Sequence, residues 1–82
     1  MIIIKRSGAS QEYCSEKIIA AMQKAFASVA TPCTEAELAA LCKQVEHSLG
    51  ADTIDVERIQ DAVEQVLMQS GNYTVAKSYI LY

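Results

Sequence analysis

Past Cys14, the apolar residues fall into four blocks with the period of an α-helix, and residues that stop helices divide the blocks. Ile18, Ile19, Met22, Phe26 and Val29 recur at spacings of three and four, which lines them along one helical face. Leu38, Leu41, Cys42, Val45 and Leu49 repeat the pattern, followed by Val56, Ile59, Val63, Val66 and Leu67, and then by Val75, Ala76, Tyr79 and Ile80. Thr31-Pro32, Gly50 and Gly71 stand between the blocks. A residue before proline is pushed out of the helical region, and glycine takes the left-handed conformation that closes a helix. Such helices bury their stripes by packing on one another, and short connections favour a bundle.

The helix starts are legible too. Ser15 reads as the first N-cap, with Glu16 in the first turn, and this helix is expected to run to about Ala30. Thr34-Glu35-Ala36-Glu37 reads as a capping box, in which Thr34 accepts from the Glu37 backbone and the Glu37 carboxylate reaches back to the Thr34 backbone. Asp55 and Asn72 read as the third and fourth N-caps. The fourth helix is still running at Tyr82, which predicts a piece of a longer chain.

The first fourteen residues follow another rule. Ile2–Arg6 is β-branched and weakly alternating, with Ile2 and Ile4 on one side and Ile3 and Lys5 on the other. Ser7-Gly8-Ala9-Ser10 is a turn signal, and Gln11–Cys14 can return antiparallel. A two-stranded hairpin is marginal alone and must lie on other structure. The expected fold is therefore α+β, mostly α, with an N-terminal β-hairpin lid over a four-helix bundle. Eighty-two residues make one such domain.

Several function classes are excluded or demoted. The sequence has no phosphate-binding glycine loop, dinucleotide fingerprint or nucleophile elbow. Cys14, Cys33 and Cys42 form no C-x-x-C pair, and His47 has no cysteine at a zinc-ligand spacing. Free thiols in a reduced cytoplasm are expected. No apolar run is long enough to span a bilayer, and no signal-peptide pattern is visible. Tyr13, Tyr73, Tyr79 and Tyr82 are expected to pack at the core edge rather than to stack on bases.

Charge supplies the functional lead. The net charge of −3 is uneven, with four basic and two acidic side chains through Lys24, and three basic and eight acidic after it. A largely acidic body does not suit a nucleic-acid backbone. A small basic focus on that body suits a compact anion. Lys5 and Arg6 end the first strand and Lys17 opens the first helix, so a hairpin folded onto that helix can gather all three around a phosphate. The helix N-terminus adds its positive end, and Ile3 and Ile18 offer apolar flanks for a base.

The run IIIKRSGASQEYCSEKI resembles the opening of the ATP-cone domain. In that family a strand carries V-x-K-R-D-G, a turn follows, and E-x-F-D/N-x-x-K-I leads into the first helix. Ile3, Lys5, Arg6, Gly8, Gln11, Tyr13, Cys14, Lys17 and Ile18 hold the matching places, and Gly8 to Lys17 aligns without a gap. VERIQDAVEQVLM and GNYTVAKSYILY look like the family's third and fourth helices, so the resemblance runs the length of the chain.

The resemblance implies a regulatory module without catalysis, of the kind found at the N-terminus of ribonucleotide reductase catalytic subunits. It implies ATP or dATP as allosteric effector, with Mg2+ as its companion ion. Lys5, Arg6 and Lys17 stand where the family contacts phosphates, and Ile3 and Ile18 where it holds adenine. Gln60 holds a polar place facing ribose and phosphates, with Val56 one turn before it. Gln11 and Cys14 stand where the family reads the base, but they replace Glu and Asp/Asn, and Val56 replaces a threonine of some members. The implied partners are an adenine nucleotide, the remainder of a parent reductase and its partner subunits, with nucleotide-dependent oligomerisation and without nucleic acid or membrane. Two alternatives stay open: a degenerate cone that serves as a protein-interaction module, and the cone of a nucleotide-responsive transcriptional repressor.

Overall fold

The computed structural model describes residues 1–50 and 53–81. The elements follow in the order β1 (Ile2–Ile4), β2 (Ser10–Glu12), α1 (Ser15–Ser28), α2 (Glu35–Leu49), β3 (Thr53–Asp55), α3 (Val56–Gln69) and α4 (Tyr73–Leu81). Four helices and a small sheet make the expected mostly helical α+β fold. Tyr82, where the sequence predicts the last helix to continue, lies outside the described residues.

β1 and β2 form the expected hairpin, with Ile3 opposite Gln11. Its turn is closed by hydrogen bonds from Gly8 N–H to Lys5 O at 2.9 Å and from Lys5 N–H to Ala9 O at 2.8 Å. Gly8 sits at φ 88°, which side chains with a Cβ resist. The hairpin is only part of the sheet. β3 pairs parallel with β1, Ile3 facing Ile54, so β1 is central in a three-stranded sheet of order β2-β1-β3. Three residues give no usable alternation, and a parallel partner is recognised only once the chain has folded back.

Alternation then fixes which face is buried. Ile3 and Ile54 point down into the core while Ile2 lies exposed on the outer face. Gln11, paired with Ile3, is half-buried on that same inner side. The sheet covers a core to which all four helices contribute, including Met22, Phe26, Leu38, Val45, Val63, Leu67 and Val75, with no buried polar or charged residue among the described ones. α3 packs on both α2 and α4, and α1 packs on both as well. Removing a side chain such as that of Met22 or Leu67 would cost about 2–5 kcal/mol.

The helix ends correct several expectations. Cys14, not Ser15, is the N-cap of α1, and its side chain makes no capping bond. α1 stops at Ser28, short of Ala30, because Ala30 turns left-handed at φ 52° and Thr31 N–H reaches back to Phe26 O at 3.0 Å. Thr34 Oγ1 does accept from Glu37 N–H at 3.1 Å. The Glu37 carboxylate, however, accepts from the Thr34 hydroxyl and not from its backbone, so the box is half-formed. Gly50 closes α2 in the left-handed region at φ 55°. Asp55 is the N-cap of α3 by position but caps with no side-chain bond. Val75 and Ala76 are buried as expected, whereas Ile80 is 53% exposed. α4 rests one narrow face on the bundle, so its apolar stripe is thinner than the sequence suggests. Tyr73 is exposed as well, unlike the half-buried Tyr13 and Tyr79.

Candidate functional site

The tight turn after β1 holds Arg6 beside its tip and aims it over the third helix. Arg6 Nη2 donates to Gln60 Oε1 at 3.3 Å, and Arg6 Nε lies 3.5 Å from Glu57 Oε1. Glu57 and Gln60 are one turn apart on α3, so one guanidinium spans both. Arg6 and Glu57 are about 70% exposed, and an ion pair so placed contributes roughly 0.2–1 kcal/mol. This contact holds the arginine in place yet yields readily to a stronger anion.

Beneath Arg6 opens a cleft of about 860 Å³ between α1, α3 and α4. Lys17, Ala20, Ala21 and Lys24 form its α1 wall. Their spacing of three, four and seven puts them on one helical face, with two short alanines between the lysines. α3 contributes Gln60, Asp61 and Glu64, and α4 contributes Tyr79 and Ile80. Burial pushes the Tyr79 phenol above its ordinary range, so it offers a neutral hydroxyl.

The cleft is therefore polarised. Arg6, Lys17 and Lys24 supply positive charge, while Asp61 and Glu64 on α3 supply acceptors. Such an arrangement suits a ligand with an anionic tail on one side and hydroxyl or amine donors on the other. No three His, Cys, Asp or Glu side chains come together as a metal site among the described residues.

A second, smaller groove of about 230 Å³ adjoins this cleft and is lined by Ile4, Lys5, Arg6, Asp55, Val56 and Glu57. Arg6 is common to both. The residues expected to act together are thus partly divided. Arg6, Lys17 and Gln60 share the large cleft, whereas Lys5 and Val56 lie in the adjoining groove. Ile3 and Ile18 belong to the core at 7% exposure each. Gln11 lies half-buried under the sheet, and Cys14 half-buried at the N-cap of α1. Neither Gln11 nor Cys14 lines either opening.

Sequence reasoning missed Lys24, Asp61, Glu64 and Tyr79. For Lys24 a signal existed, because it falls seven residues after Lys17 and off the apolar stripe. Glu64 lies one turn after Gln60, but Asp61 is its immediate neighbour, and which of these acids faces the cleft depends on how α3 lies against α1. Tyr79 carried no such signal, since its place in the apolar stripe assigned it to the core edge.

Residues 1–82 match the sequence model of a family described as the ATP cone domain. The chain is 39% identical over 90 residues to the ribonucleoside-diphosphate reductase subunit alpha of Chlamydia pneumoniae, across 98% of this chain and 9% of that protein. It is 40% identical over 90 residues to the protein of the same name from Treponema pallidum (strain Nichols), across 100% of this chain and 11% of that protein. A similar match, 39% over 92 residues, is made to the Chlamydia muridarum subunit alpha. The chain spans between 9% and 11% of the length of these relatives.

Proposed function

The chain belongs to the ATP-cone family, and from that premise we propose that it binds ATP or dATP as an effector and sets the overall activity of a ribonucleotide reductase to which it is attached. The observation that carries this reading is the polarised cleft, in which Arg6, Lys17 and Lys24 face Gln60, Asp61 and Glu64. The phosphates lie along Arg6 and Lys17 and displace Glu57 from the guanidinium. Arg6 also borders the smaller groove, so a phosphate chain crossing it comes near Lys5. Gln11 and Cys14 line neither opening, so the base meets them, with Ile3, Ile18 and Val56 as its apolar surroundings, once the β1–β2 hairpin shifts on binding. The sugar hydroxyls then meet the acceptors on α3.

The chain carries out no chemistry of its own in this reading. Its output is a shift of population. A bound nucleotide fixes the β1–β2 turn against α1 and α3, and so changes which outer surface docks on the rest of the reductase and its partner subunits. ATP and dATP differ by one hydroxyl, so opposite effects require that the two nucleotides prefer different states of the domain. One observation favours a second reading, a cone retained as an interaction module. Gln11 and Cys14, the residues in the base-reading places, line neither opening.

Thermal unfolding in the presence of nucleotides tests the choice. ATP and dATP at about a hundred times their dissociation constant should stabilise the chain by about 2.7 kcal/mol, and inorganic triphosphate by less. An unfolding temperature that no adenine nucleotide moves at millimolar concentration would leave the interaction module as the better account.

A further inference from the structure

We infer that Glu46, on α2, is a positioning residue for recognition of the base, acting through the hydroxyl of Tyr13. The inference rests on the nucleotide-binding reading above.

Tyr13 joins β2 to the N-cap of α1. Its backbone N–H donates to Met1 O at 2.9 Å and extends the hairpin pairing. Its hydroxyl donates to Glu46 Oε2 at 2.6 Å, the length of a bond to an ionised carboxylate. Cys42 Sγ lies 3.9 Å from the same hydroxyl and also 3.9 Å from Ser15 O, to which it donates. The residues on both sides of Cys14 are thus fastened to α2. That helix lines neither the cleft nor the adjoining groove. Gln11, two residues upstream, is held by its pairing with Ile3.

The hydroxyl touches Glu46 and Cys42 and stays protonated, since burial and the bond to Glu46 push it well above the ordinary phenol range. What it adds is direction. It fixes the path of residues 11–15, and hence the places of Gln11 and Cys14 against a base, from a helix that lines neither opening. The carboxylate of Glu46 touches neither opening, so its influence on a ligand passes through Tyr13.

The test titrates ATP and GTP calorimetrically into the 82-residue chain and into its Tyr13→Phe, Glu46→Leu and Glu46→Gln variants. Amide hydrogen exchange at residues 11–15 is followed without nucleotide. Tyr13→Phe and Glu46→Leu should speed that exchange and lower the ATP-to-GTP affinity ratio about fivefold, the effect of one hydrogen bond. Glu46→Gln keeps an accepting oxygen and should hold the ratio within about twofold of the parent. Loss of stability alone does not move the ratio, because both nucleotides report on the same folded fraction. A ratio unchanged in both Tyr13→Phe and Glu46→Leu overturns the inference, whatever the exchange does. Unchanged exchange overturns it as well. A parent chain that binds neither nucleotide removes the binding reading itself and the inference with it, an outcome the parent titration alone identifies.

Discussion

Arg6 and Gln60, 54 positions apart in the chain, are joined by a 3.3 Å hydrogen bond from guanidinium to amide oxygen. This bond is where the turn after β1 meets the helix bundle, above the mouth of the cleft. Glu57 shares the same guanidinium, so the arginine that would bind phosphate already has an anionic partner.

That competition can be measured. Glu57→Gln frees Arg6 of a charge partner while leaving Gln60 in place. The exposed pair is worth at most about 1 kcal/mol, so ATP affinity should rise by up to about fivefold with little change in unfolding temperature. Weaker binding in this variant would show that Glu57 helps to hold the ligand.

The two cleft lysines should separate by ligand length. They lie two helical turns, about 10 Å, apart. Lys17→Ala should weaken ATP and AMP alike, by roughly tenfold. Lys24→Ala should weaken ATP but leave AMP unchanged, since one phosphate cannot reach both lysines. Paired calorimetric titrations of the two nucleotides read this directly.

A third prediction concerns the scaffold. α1 and α3 end in the same way, with a backbone bond from Thr31 to Phe26 and from Asn72 to Leu67. Both require a left-handed residue, which is Gly71 at φ 86° in α3 but Ala30 at φ 52° in α1. Ala30→Gly should therefore stabilise the fold by about 0.5–1 kcal/mol, and Gly71→Ala should destabilise it by about 1 kcal/mol. Urea unfolding of the two variants gives both signs.

These helix ends also show what could be read from the sequence. The stripe on α2 was fully legible, because Leu38, Leu41, Cys42, Val45 and Leu49 are all buried. Local chemistry fixes such a helix: one period, one cap at Thr34 and one stop at Gly50. β3 was not legible, because Thr53–Asp55 is a strand only by virtue of β1 lying beside it. Ile80 failed for a related reason. Periodicity states which residues share a face but not how much of that face a neighbour covers. At the site, Arg6, Lys17 and Gln60 could be brought together from a motif, whereas Asp61, Glu64 and Tyr79 depend on how α3 and α4 lie against α1.

The buried and half-buried thiols and phenols predict alkaline lability. Burial raises the thiols of Cys33 and Cys42 above their ordinary 9.0, and the phenols of Tyr13 and Tyr79 above 10.0. Each raised group holds its proton in the fold and ionises more readily once unfolded. Their contribution is complete below the ordinary values and declines as pH rises past them. Unfolding temperature should be level with respect to these groups up to about pH 8.5 and fall beyond it. Tyr13→Phe should make the fall above about pH 10 shallower.

The most direct test of the central claim is an ATP titration of the chain followed through backbone amide chemical shifts. Binding in the cleft predicts saturable shifts at Arg6, Lys17, Lys24, Gln60 and Asp61, extending under the sheet to Gln11 and Cys14, and reached in Lys17→Ala only at roughly tenfold higher ATP. Amides that do not move at millimolar ATP, or that move on the outer face of α2 and leave the cleft unchanged, would contradict it.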